Sequence, residues 1–138
     1  MRLSSFSSVG ISAVLEAAYA FGTPLYLYDE NLLVEKCQQA LSMPSAYGLR
    51  VRYAMKANSN RTLLRIIAGQ GLHIDASSLN EAKRAEMAGI EPERIMLTTQ
   101  EVPEGADRQA LEQLILRGMK YNVCSLRQLR LIADFASA

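Results

Sequence analysis

Cysteine and histidine are scarce in this 138-residue chain, and charge of either sign is nearly cancelled. The two cysteines, Cys37 and Cys124, stand far apart with no C-x-x-C spacing, which argues against a disulfide framework or a zinc knuckle. His73 is the single histidine, and neither H-x-x-H nor H-E-x-x-H occurs, so no metal site is expected. Fifteen Lys plus Arg against fourteen Asp plus Glu leave a formal charge of +1. That balance removes the main electrostatic reason to expect a nucleic acid or an anionic membrane as partner. No stretch approaches the roughly eighteen apolar residues of a membrane span. Met1 to Gly10 also lacks the apolar run of a secretory signal. The expected compartment is the cytoplasm, where free thiols persist.

What is present is ordinary globular composition, 49% hydrophobic and 21% charged. The periodicity alternates. Ser12 to Ala20 reads as a helix with Ser12 as N-cap, stopped by Gly22-Thr23-Pro24. Leu25 to Tyr28 reads as a short strand, and Asp29 caps a helix to about Ser42. Strands are predicted over Arg50–Ala57, His73–Ser77, Ile95–Thr98 and Lys120–Val123. Helices are predicted from Asn60 to Gly69, Ser78 to Ala88, Ala106 to Arg117 and Ser125 to Ala136. Ser78 with Glu81, and Ser125 with Gln128, have the spacing of a capping box. Strands separated by helices are normally parallel with right-handed crossovers. Two α/β architectures fit, a doubly wound sheet or part of a (β/α)8 barrel, and a complete barrel takes about 250 residues.

In both architectures reactive groups collect where strands end. Along Arg50 to Asn58, Val51, Tyr53 and Met55 share one face, and Arg52, Ala54 and Lys56 the other. Lys56 then reaches the C-terminal mouth above the small Ala54. A lysine partly desolvated there loses some preference for its ammonium form, and a neutral amine attacks carbonyls to form Schiff bases. Asp75 ends the next strand, about 4.8 Å away in the sheet, and can approach Lys56 or a group bound to it. It can equally serve the start of the following helix. Glu81 reads as the capping partner of Ser78 more readily than as an acid catalyst. His73 falls at the opposite end of its strand from the mouth and reads as a surface or loop residue. Cys37 reads as core, and Tyr26 and Tyr28 as packed aromatics. Gly69-Gln70-Gly71 precedes a strand and is too short for a dinucleotide fingerprint.

Tyr53-Ala54-Met55-Lys56-Ala57-Asn58-Ser59-Asn60 resembles the pyridoxal 5′-phosphate lysine motif of fold-type III basic amino-acid decarboxylases, the diaminopimelate decarboxylases above all. The resemblance extends over Thr23–Asp29, Leu63–Ala68, Gly71–Glu81, Ala88–Ile95 and Asn122–Leu129. It implies an α/β fold that is the N-terminal half of an alanine racemase-like (β/α)8 TIM-type barrel, with strands beginning at Arg50, Leu72, Arg94 and Met119. It divides the chain into an N-terminal helical segment, 1–22, and a partial pyridoxal-phosphate-binding barrel, 23–138. Lys56 is implied as the Schiff-base lysine and Asp75 as a residue lining the cofactor. Glu81 is implied to belong to the neighbouring shell, and Leu25–Tyr28 to join a separate β domain.

The implied reaction is decarboxylation of meso-diaminopimelate to L-lysine by the complete enzyme, with a small-molecule amino acid as substrate and a homodimer as the full-length form. Decarboxylation of ornithine, arginine or carboxynorspermidine, and an inactive barrel homologue, are the alternatives. Two departures bear on substrate. Asp75–Glu81 lacks the Gly-Gly common before the glutamate in diaminopimelate decarboxylases, and Thr98–Pro103 does not match the stretch expected after that strand. Half a barrel leaves a strand unpaired at each open side, which predicts poor solubility unless something covers them.

Overall fold

The computed structural model describes residues 9–136. Its centre is a sheet of four parallel strands in sequential order, β1 (Arg52–Ala54), β2 (His73–Ala76), β3 (Ile95–Thr98) and β4 (Lys120–Asn122). Helix α1 (Ile11–Phe21) and helix α2 (Glu30–Leu41) precede the sheet. Helices α3 (Arg61–Gly69), α4 (Leu79–Met87) and α5 (Gly105–Leu116) connect successive strands, and α6 (Leu126–Ala136) follows β4. A doubly wound sheet reverses its strand order at a switch point; this one does not. The fold is the N-terminal part of a TIM-type barrel, as the resemblance implied.

Alternation sorts the side chains. Ile74, Ala76, Ile95 and Leu97 face the helices and are fully buried, with Leu64, Leu111 and Leu114 packed over them. Burying each such large aliphatic side chain contributes about 1.5–3 kcal/mol. The opposite face carries Arg52, Ala54, His73, Asp75, Met96, Thr98, Lys120 and Asn122, all half-buried or exposed. That face is the inner wall of the cylinder, open because four strands line half of it. Cys37 is core, as expected, packed with Ile67 and Leu72 where α2 meets α3. Burial pushes its thiol pKa up.

Helix starts follow from polar caps. Asn60 Oδ1 accepts from the Thr62 and Leu63 N–H groups at 2.9 and 3.4 Å, and Ser78 Oγ accepts from Glu81 N–H at 3.2 Å. Ser125 Oγ accepts from Gln128 N–H at 3.2 Å, and Asp29 Oδ1 from Leu32 N–H at 3.2 Å. Each satisfies a backbone donor that the helix itself leaves unpaired.

Several expectations are corrected. Ser12 is not the cap of α1: Gly10 holds that position, with no side-chain hydrogen bond. Leu25–Tyr28 is not a strand, because no described segment offers it a ladder. Tyr26 and Tyr28 are not packed, being 91% and 55% exposed. The strand expected over Arg50–Ala57 is three residues long and turns at once into a 3₁₀ turn, Met55–Ala57. His73 lies within β2, half-buried on the inner wall, and not in a loop. Helix α1, within the segment expected over 1–22, buries none of its residues; the first eight positions of that segment lie outside the described residues.

Candidate active site

Lys56 stands in the 3₁₀ turn directly beyond the C-terminal end of β1. Met55 before it is fully buried under the helices and anchors the turn from below. Tyr53 Oη donates to the Asn58 carbonyl at 3.2 Å, and Asn58 Nδ2 donates to Tyr28 Oη at 2.8 Å. Asn58 Oδ1 in turn accepts from Asn60 N–H at 2.9 Å. The backbone on both sides of Lys56 is therefore held while its side chain is exposed. Among the described residues its ammonium makes no hydrogen bond or ion pair. The partial desolvation expected for Lys56 is not supplied by these residues, since half a cylinder leaves the mouth open.

Asp75 lies on the inner wall of β2, in register with Ala54. Its Oδ1 accepts from Thr98 Oγ1 at 2.8 Å, and Thr98 Oγ1 accepts from Asn122 Nδ2 at 3.4 Å. A polar ladder thus crosses β2, β3 and β4 beside the mouth. Asp75 and Lys56 are not ion-paired: the carboxylate is hydrogen-bonded along the sheet to Thr98, and the cation of β1 on which it acts is Arg52. Thr98 and Asn122 were missed from sequence, although counting by twos from Met96 and Lys120 places both on the Asp75 face.

Glu81 caps, as expected, with one change of detail. Its carboxylate accepts from the Ser77 N–H and Ser77 Oγ at 2.7 and 2.9 Å, one residue ahead of the Ser78 cap. Glu81→Ala is expected to cost about 1 kcal/mol in urea unfolding while leaving any chemistry at Lys56 intact. A larger loss of reactivity than of stability would assign Glu81 to the site instead.

His73 occupies the other end of the inner wall. Its Nδ1 is buried without a partner among the described residues. Burial lowers its pKa, and Arg52, Arg94, Arg50 and Lys120 lower it further. An imidazole kept neutral in the fold gains a proton first in the unfolded chain. Stability is therefore retained above the unfolded value near 6.5 and lost as pH falls below it. Thermal midpoints measured from about pH 7.5 down to about pH 5.5 should fall less for His73→Gln than for the parent chain. Equal slopes would count against this role.

Two surface concavities of about 400 Å³ do not include Lys56. One is lined by Tyr28, Leu32, Tyr53, Asn58, Leu63 and Ile67, the other by Val102, Glu104, Arg108 and Arg127 among others. Lys56 belongs to an open wall and not to a finished pocket. Cys124, beyond β4, is exposed and donates to the Asn122 carbonyl at 3.4 Å.

Comparison with known proteins gives this geometry a setting. The diaminopimelate decarboxylase of Methanothermobacter thermautotrophicus is 35% identical over 130 residues, covering 93% of this chain and 29% of that protein. That of Deinococcus radiodurans is 46% identical over 92 residues, 65% of this chain and 23% of that protein. The crystal structure of diaminopimelate decarboxylase from Helicobacter pylori complexed with L-lysine superposes with a TM-score of 0.72 at 28% identity. It covers 90% of this chain and 31% of that one. The chain thus spans less than a third of the length of these relatives. Residues 31–138 match the family described as "Pyridoxal-dependent decarboxylase, pyridoxal binding domain". The chain belongs to that pyridoxal-binding domain family.

Proposed function

We propose that this chain is the lysine-bearing part of a pyridoxal-phosphate-dependent decarboxylase acting on meso-diaminopimelate to give L-lysine. The observation that carries the reading is Lys56, an exposed amine without a competing partner, on a braced turn at the C-terminal mouth of parallel strands. Its substrate assignment is supported by curated relatives at 32–46% identity that are diaminopimelate decarboxylases.

The residues present fit pyridoxal phosphate. A primary amine with no ion pair suits its aldehyde carbon, and the adjoining inner wall is cleared by the small Ala54. When bound, the cofactor supplies a pyridine ring that accepts electrons from the breaking Cα–carboxylate bond. Lys56 is the residue that would hold it. The Tyr53–Asn58–Tyr28 hydrogen bonds fix the turn from which that amine projects, limiting the directions in which its stem can reach. Asp75, held by Thr98, is the residue of the inner wall that would line the same side. A carboxylate there favours the cationic form of a nearby nitrogen.

The reading places 23–138 in the cofactor barrel and 1–22 as a helical lead-in. It also gives the complete enzyme a cytoplasmic setting and a homodimeric state. The test is carbon dioxide release from a polypeptide that joins this chain to the remaining length present in its relatives, supplied with pyridoxal phosphate. Meso-diaminopimelate, ornithine, lysine and arginine are compared at equal concentration. Turnover with meso-diaminopimelate exceeding the others supports the assignment; preference for ornithine or arginine reassigns the substrate; none with any of the four rejects the activity.

A further inference from the structure

The inward-facing side chains stand in rows across the strands, and Asp75 lies between two rows that draw it in opposite directions. Its own row runs Ala54, Asp75, Met96 and Lys120. The side chains of Ala54 and Met96 on either side have no hydrogen to donate to a carboxylate, and Met96 separates Asp75 from Lys120. One row nearer the mouth stand Thr98 and Asn122, in register with each other. One row nearer the opposite end stand Arg52 and His73, also in register. The carboxylate is thus offered a neutral hydroxyl on one side and a guanidinium on the other.

In the structure the hydroxyl holds it. Thr98 Oγ1 donates to Asp75 Oδ1 at 2.8 Å, whereas no ion pair joins Asp75 to Arg52 among the described residues. Asn122 Nδ2 donates to Thr98 Oγ1 at 3.4 Å, so the hydroxyl's own proton is left for Asp75. Arg52 is nevertheless within electrostatic reach: burial lowers its pKa, and the Asp75 charge opposes that by raising it. The guanidinium is also loosely tied, since its one hydrogen bond, from Nη1 to the Ile74 carbonyl, is 3.5 Å long. Without the Thr98 hydroxyl, the half-buried carboxylate has one strong donor left to turn to, and a change of side-chain rotamer takes it there.

We propose that Thr98 is a positioning residue that holds the Asp75 carboxylate toward the mouth against the attraction of Arg52, on the side from which the Lys56 amine projects. The inference deepens the reading of Lys56 as the cofactor-bearing amine and rests on it. Thr98 acts only through where Asp75 points.

The test uses the polypeptide that joins this chain to the remaining length present in its relatives. Its variants are Thr98→Val, Thr98→Ser, and Thr98→Val combined with Arg52→Met. Crystal structures grown without pyridoxal phosphate read the orientation. The Asp75 carboxylate is expected more than about 4 Å from the Arg52 guanidinium in the parent and Thr98→Ser, and within that distance in Thr98→Val. An unmoved carboxylate in Thr98→Val overturns the proposal, whatever the enzyme does. Turnover, with whichever of the four amino acids the parent accepts, reads the consequence. Thr98→Val is expected to lower kcat about tenfold or more while KM changes less than about twofold. Thr98→Ser should restore most of that loss, and Arg52→Met, by removing the competing cation, part of it. An unchanged kcat in Thr98→Val, or a loss that neither substitution relieves, overturns the proposal. A parent without turnover rejects the catalytic reading, and the crystallographic orientation then decides this one alone. Should Thr98→Val not fold, Thr98→Ala takes its place in both measurements.

Discussion

Lys56→Ala is expected to abolish the pyridoxyl label that borohydride fixes on the protein in the presence of pyridoxal phosphate, and peptide mass mapping of the parent chain is expected to place that label on Lys56. Other lysines are poorer candidates for structural reasons. Lys83 is paired to Asp107 at 2.8 Å, Lys36 contacts Gln39 and Glu35, and Lys120 opens β4, at the far side of the sheet from β1. Only Lys56 joins an unengaged amine to a turn held at both flanks. In the complete enzyme the same substitution should lower turnover by about 10³-fold or more, since a covalently held reactant gains much of its advantage from orientation. Recovery of the label on Lys36, Lys83 or Lys120 would overturn the assignment of Lys56.

Gln128→Leu is the structural substitution with the largest expected cost. Gln128 is fully buried, and its side chain makes three hydrogen bonds. Oε1 accepts from the Cys124 N–H at 2.7 Å, and Nε2 donates to the Thr99 and Glu101 carbonyls, both at 2.8 Å. One side chain thus closes the start of α6 and pins the loop after β3. Leucine keeps most of the volume and strands all three backbone groups, at a net cost of about 3 kcal/mol. Ser125→Ala, which removes only the cap, should cost about 1 kcal/mol. Urea unfolding of the two variants measures the difference. A Gln128→Leu midpoint as high as that of Ser125→Ala would show that water satisfies the stranded groups.

The elements that could be read from sequence are those whose causes are local. Asn60, Ser78 and Ser125 each precede an apolar period, and each caps the helix expected there. The period-two alternation of Val51, Tyr53 and Met55 correctly assigned the packed face of β1. What could not be read depends on distant partners. Leu25–Tyr28 has strand composition, yet a strand exists only where another offers a ladder. Capping-box spacing disclosed that Gln128 faces Ser125, but not that its amide reaches Thr99 and Glu101 across the neighbouring unit. Lys56 was singled out by its position and its flanking motif. Its exposure was not, because the solvation of an inner wall depends on strands from the far side of the cylinder.

The sequential order of the strands also bears on how the chain assembles as it is made. Hydrogen bonds between neighbouring units join Arg52 to Ile74, Thr98 to Asp75 and Asn122 to Thr98, spanning 22, 23 and 24 residues. Each new strand finds its partner in the unit just synthesised, so the topology has short sequence separations for a parallel sheet. At about 5–20 residues per second, translation takes roughly 1–5 s to deliver one such unit. Helix formation and local loop closure take microseconds or less. The sheet can therefore be laid down strand by strand from β1 on the ribosome, with Lys56 already in its turn before β4 has been synthesised.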